Sequence, residues 1–228
     1  MPSLVGSEMC IRDRDNRSYK LRGARATLAQ SSAYENLWPK YGIPMEGVID
    51  PAVVFPEFRT RIMEIGTGMG ESTALIAAHF PDVAFFGVEV HEPGVGSLLW
   101  RAEAAGLTNL RIIQEDAHII LRDHFPDESL DAFHLYFPDP WPKSRHWKRR
   151  IVQADFLALI ASKLKDGGYI HIATDWIEYA QWIQNVFAQS SLFSGGVIER
   201  PEWRPLTKFE GKGIRKGHVV TDMKYLKN

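Results

Sequence analysis

The sequence predicts an α/β protein with a doubly wound, mostly parallel sheet, on three observations. Strand and helix patterns alternate through the middle of the chain, the mark of repeated βαβ units. A glycine turn, Gly66-Thr67-Gly68-Met69-Gly70, separates the first apolar strand from the first helix of that series. Five consecutive predicted strands end at an acid or lead directly into one: Glu64, Glu89, Asp116, Asp139 and Asp175. In such a sheet the carboxyl ends of the strands line one crevice, where ligands bind.

Taken in order, Met1 to Arg14 shows neither period nor cap and reads as a non-native or disordered leader, set aside from the fold. Residues 15–59 form a basic arm and a short helix, and the main domain runs over 60–228. The arm carries Arg17, Lys20, Arg22 and Arg25 and suits phosphate. Thr27 to Leu37 is expected as a helix that Pro39 and the Tyr41-Gly42-Ile43-Pro44 turn end. Arg61 to Ile65 is the first strand, and Glu71 to Phe80 the helix after the glycine turn. Ala84 to Val90 is the second strand. Its Glu89 stands about 20 residues beyond the glycine turn, where an acid can take both hydroxyls of a ribose. Pro93 opens a helix that Gly106 closes. Leu110 to Gln114 and Asp131 to Phe137 are further strands around a short helix ending near His124. Trp147 to Lys165 carries apolar residues at helical spacing, with Asp166-Gly167-Gly168 as its stop. Tyr169 to Ala173 is the fifth strand. Asp175 is placed to cap a helix from Trp176 to Gln189, and His218 to Tyr225 closes the sheet.

Composition narrows the classes of function. The chain has 228 residues, 45% of them hydrophobic, enough for one sizeable core. A formal net charge of -1 excludes a general polycation, so any nucleic-acid binding must come from local clusters. One cysteine, Cys10, excludes an internal disulfide and a multi-cysteine zinc site. The histidines show no ligand-like grouping with acids, so no metal is expected. No apolar run approaches the roughly 20 residues that cross a bilayer, and no signal-peptide pattern opens the chain. A cytoplasmic protein without a membrane partner, monomeric or homodimeric, is expected.

The acids decide what the glycine turn holds. By itself that turn, with Gly66 and Gly68 at its centre, also suits nicotinamide or flavin cofactors. Glu64 lies two residues before Gly66, however, and a carboxylate there repels a pyrophosphate. A cationic nucleoside fits better. S-adenosylmethionine has no phosphate, carries a sulfonium and an ammonium, and offers ribose hydroxyls to Glu89 and an adenine amine to Asp116. Each acid could instead cap the helix that follows it; the set of five favours a pocket lining.

The stretch Leu135 to Arg150, LYFPDPWPKSRHWKRR, joins a strand end to a proline-held acid and then a basic run. Asp139 could be a turn residue between two prolines. In the functional reading it faces an acceptor such as a purine ring nitrogen, which has a free lone pair and needs no base. Its charge then favours the cationic product, and placement of acceptor and methyl does most of the work. Lys143, Arg145, Lys148, Arg149 and Arg150 carry the wrong sign for a helix start. With Trp141 and Trp147 between them to stack on bases, RNA is the expected partner. The loop from Lys208 to Lys216 adds a second small basic patch, in which Phe209 could stack on a base or belong to the core.

These segments, with TDW at Thr174 to Trp176 and TKFE at Thr207 to Glu210, resemble the bacterial tRNA (guanine-N(7)-)-methyltransferases from about Arg17 to Tyr225. The resemblance implies a Rossmann-like class I methyltransferase fold, seven-stranded with the last strand antiparallel, acting on the guanine at position 46 of the tRNA variable loop. It further implies that Glu64, Glu89, Asp116 and Asp139 contact S-adenosylmethionine, with Asp139 also catalytic. Lys143, Asp175, Thr207, Lys208, Phe209 and Glu210 match substrate-binding positions, and Arg145 to Arg150 the RNA-contact stretch. A catalytically silent RNA-binding module on the same fold is the alternative.

Overall fold

The computed structural model describes residues 17–19, 25–215 and 217–228, without the side chains of Lys208, Phe209 and Lys212. The leader 1–14, Lys20, Arg22 and Lys216 lie outside the described residues, as do the expected contacts of the Lys208 and Phe209 side chains. The strands are β1 (Thr60–Ile65), β2 (Val83–Val88), β3 (Leu110–Ile113), β4 (Leu130–Tyr136), β5 (Leu164–Thr174), β6 (Phe193–Ile198) and β7 (Thr221–Lys227). They make one seven-stranded sheet in the order β3-β2-β1-β4-β5-β7-β6. β1 to β5 pair in parallel, while β7 runs antiparallel to both β5 and β6. The order reverses between β1 and β4, and that switch point opens the crevice.

Among the described residues eight α-helices flank the sheet: α1 (Leu28–Tyr41), α2 (Pro51–Val54), α3 (Glu71–His79), α4 (Glu92–Ala104), α5 (Ala117–Asp123), α6 (Ala154–Lys163), α7 (Ile177–Ala188) and α8 (Lys208–Ile214). Neighbouring strand residues face opposite layers. Met63, Phe86 and Phe133 enter the core that contains residues of α5, α6 and α7, and Ile62, Phe85 and Ala132 the core that contains residues of α1, α3 and α4. Burial on both faces explains why the strands are near-continuous apolar runs.

Four expectations needed correction. α1 passes through Pro39 to Tyr41, because the last turn is held by the buried Tyr41, whose hydroxyl donates to Glu103 at 2.8 Å. The expected helix from Trp147 is instead a 3-10 turn over Ser144–Arg149, and α6 begins only at Ala154. Asp166-Gly167-Gly168 does not stop a helix. It is a bulge inside β5, where Gly167 takes φ 72° and the register against β4 shifts. Nor does Asp175 cap α7, whose N-cap is Trp176 without a side-chain bond. β6, FSGGVI, escaped the sequence reading because its glycines carry no strand pattern and it is an edge strand.

Candidate active site

The glycine turn is built by close approach. Gly70 sits at φ 71° as the N-cap of α3, and a methyl group there would lie 2.6 Å from Leu98 of α4. A side chain at Gly94 would run into the Gly68 carbonyl, so the start of α4 is seated directly on the turn. Glu89 ties the pieces together. Its carboxylate accepts from Gly68 N at 2.7 Å, Val90 N at 2.8 Å and His91 N at 2.9 Å. The acid expected to hold a ribose therefore also organises the loop, and keeps lone pairs for a ligand.

A cavity of about 480 Å³ opens beside the turn at the carboxyl ends of β1, β2 and β4. Gly66, Glu89, Asp116, Asp139 and Asp175 all line it, as do Tyr136 and Trp176. Asp116 serves two roles at once, since its side chain also caps α5 through His118 N at 2.8 Å. Glu64 is not in the lining. It lies beneath, 2% exposed, and its Oε2 has no hydrogen-bond partner among the described residues. Burial pushes its carboxyl up to about 8; the Thr73 hydroxyl draws it partly back and the Glu89 charge adds to the rise. Glu89 is raised as well, by burial, against the pull of its three backbone donors. Burial raises both acids, and a ligand that arrives with positive charge would draw them back down by favouring their ionised forms.

The proline-held acid sits on a loop fixed from both sides. Phe137 and Trp141 adopt φ 51° and φ 44°, a left-handed conformation that costs a residue with a side chain about 1–3 kcal/mol. Three bonds hold it: Phe137 N to Ala173 O at 2.7 Å, Trp141 Nε1 to Ser18 O at 3.0 Å and Arg150 Nε to Pro140 O at 2.9 Å. Ser18 and Tyr19 of the arm thereby join the cavity wall, a placement that the unpatterned text around them did not signal.

The basic run divides. Lys143, Arg145 and Lys148 are exposed and Arg149 is half-buried, its guanidinium 5.1 Å from the Trp141 ring centre. Arg150 corrects the sequence reading. It is 2% exposed, with its cation 4.8 to 5.0 Å from the rings of Trp147, Tyr179 and Trp182, so it is not on the surface with the other cations and it braces the loop from inside. Trp141, buried and bonded to Ser18, is likewise no stacking platform.

The substrate-binding matches fall into place unevenly. Lys143 stays on the exposed turn. Asp175 lines the cavity and meets His218 Nδ1 at 3.0 Å. Thr207 is the N-cap of α8, accepting from Glu210 N, and the Glu210 carboxylate is buried against Arg204. Arg204 and His218 were not singled out in the sequence; an arginine three residues before a capping box was the one available signal.

Fold and cavity define a class I methyltransferase that uses S-adenosylmethionine. Comparison with known proteins agrees. A family model described as "Putative methyltransferase" matches residues 59–223. A tRNA (guanine-N(7)-)-methyltransferase from Nitrosospira multiformis is 50% identical over 92% of this chain and 94% of its own length. One from Methylobacillus flagellatus is 48% identical over 96% and 94%. The 16S rRNA methyltransferase KamB shares the fold at TM-score 0.59 and 14% identity, covering 82% of this chain and 98% of its own. The chain belongs to the tRNA (guanine-N(7)-)-methyltransferase family.

Proposed function

We propose that this protein transfers a methyl group from S-adenosylmethionine to N7 of guanine in tRNA, at position 46 of the variable loop, in the cytoplasm. The observation that carries this reading is the junction at Asp139, where the donor cavity meets a loop whose next turn presents Lys143, Arg145 and Lys148 to solvent. Relatives about half identical over nearly the whole chain carry the same activity in their names.

S-adenosylmethionine, when bound, supplies an electrophilic methyl on a sulfonium. Glu89 and Asp116 would hold the nucleoside and Glu64 would answer its positive charge. Asp139 has no proton to remove, because N7 attacks with a free lone pair. Its carboxylate would stand beside a purine that becomes cationic as the methyl arrives, and stabilise that charge. The exposed cations would hold the RNA backbone, and Asp175 with the start of α8 would hold the base.

Incubation with radiolabelled donor and bulk tRNA, followed by nucleoside digestion, should place the label in 7-methylguanosine. A transcript with adenine at position 46 should take none. Label in protein, in another nucleoside or nowhere would overturn the assignment.

A further inference from the structure

Arg204 lies between β6 and α8 and is 1% exposed. Two carboxylates take four of its five N–H donors. Nη1 and Nη2 donate to Glu210 at 3.0 and 2.9 Å, while Nε and Nη2 donate to Asp222 at 2.7 and 2.8 Å. The chain of contacts continues through Asp222 to His171 Nε2 at 2.8 Å, and from His171 Nδ1 to the Tyr136 hydroxyl at 3.1 Å. Burial works to raise the Asp222 carboxyl, but its bonds to His171 and Arg204 outweigh this and hold it low. As an anion it can only accept, so His171 carries its proton on Nε2.

One end of this chain reaches the cavity and the other reaches α8. Tyr136 lines the cavity next to Phe137, and Glu210 lies in the first turn of α8. The far end of α8 is pinned too. A side chain at Gly213 would begin 3.2 Å from Asp175 Oδ2, and His218 bonds the same oxygen. α8 is only seven residues, KFEGKGI, with two glycines, so its own helical propensity is weak. Its orientation comes from these anchors.

A buried ionic cluster is a poor way to gain stability, because apolar residues of equal volume often serve as well or better. A guanidinium fork adds a fixed angle between the groups it joins. We propose that Arg204 is a positioning residue for the acceptor base: through Glu210 it orients the start of α8, and through Asp222 and His171 it locks that orientation to Tyr136 at the cavity wall. Acceptor and donor are thereby set in one register. This rests on the guanine reading above, since α8 is there the base-holding segment.

Arg204→Lys keeps the charge but cannot fork to two carboxylates. Its turnover at saturating tRNA should fall about 100-fold, the cost of a misplacement near 1 Å. Affinity for S-adenosylhomocysteine, measured by calorimetry, should stay within about twofold, since the loss falls on the acceptor side. Tyr136→Phe keeps the ring and breaks only the link to His171. Its turnover should fall about tenfold, the value of one buried hydrogen bond, with the same intact affinity. Wild-type protein runs beside them. If it forms no 7-methylguanosine, the guanine reading fails and takes this one with it. If it is active and Tyr136→Phe turns over normally, the positioning role alone is refuted. Affinity for S-adenosylhomocysteine falling in step with turnover would likewise refute it, as a merely structural role predicts. Should Arg204→Lys fail to fold, Tyr136→Phe decides.

Discussion

Glu64→Gln tests the electrostatic logic of the donor site. Burial, first, and the charge of Glu89, last, lift the Glu64 carboxyl to about 8, whereas in an unfolded chain it titrates near 4.3. A raised pKa means that its contribution to stability is fully present below about pH 4.3 and is lost as pH rises through about 8. Over that span the loss is on the order of 5 kcal/mol, one proton at 1.36 kcal/mol per pH unit. A cationic ligand wants the carboxylate ionised, so binding should release a proton. Between pH 6.5 and 8.5 the Glu64 contribution should tighten S-adenosylmethionine binding about 20- to 30-fold. The ligand's own amine titrates in the same range, so the difference between wild type and variant is the quantity to read. Calorimetry in buffers of different ionisation enthalpy should show extra proton release in wild type and its loss in Glu64→Gln. Urea melts should show the variant free of the alkaline decline. Equal pH slopes for the two proteins in both experiments would refute the assignment of a buried, neutral acid at this position.

Asp139→Asn keeps the shape of the loop and removes its charge; turnover should drop about 100-fold or more with the melting temperature little changed, and near-normal turnover would exclude an electrostatic role. Arg150→Ala should cost about 3 kcal/mol in denaturant melts, from the Pro140 bond and the ring contacts, while Lys148→Ala should leave stability alone and lower the salt slope of tRNA binding by about one. The reverse pattern would restore Arg150 to the RNA surface. Gly94→Ala pushes a methyl into the Gly68 carbonyl and should weaken S-adenosylmethionine binding at least about tenfold by overpacking the turn; calorimetry would show it. His134 is buried with neither ring nitrogen bonded among the described residues, and burial, with the charges of His171 and Lys224, holds it well below its usual value. Its contribution is intact above about pH 6.5 and is lost as pH falls below that, so His134→Leu should flatten the acid limb of a stability profile.

Much of this protein was legible in one dimension. Strand and helix alternation, the glycine turn and the acids at strand ends depend on local spacing, and spacing survives folding. Asp116 shows that two local readings need not compete, since it caps α5 and lines the cavity together. Arg150 and Trp141 show the limit. In the text they belong to a basic, aromatic run, but the 3-10 turn that replaces the expected helix rotates Arg150 inward onto three rings and leaves Lys148 outside. Glu210 is similar: its motif marks it as a substrate residue, while its carboxylate is spent on Arg204 and reaches Asp222, His171 and Tyr136 only through contacts between distant segments. Hydrophobic period and turn chemistry act over a few residues, so the parallel strands of the sheet, the donor crevice at their ends and the acids around it could be read from the text, whereas the glycine-rich edge strand β6 could not. Which cations face solvent, which acid is neutral and what orients α8 were decided by tertiary structure alone, because burial and ion pairing depend on neighbours that the chain brings from far away.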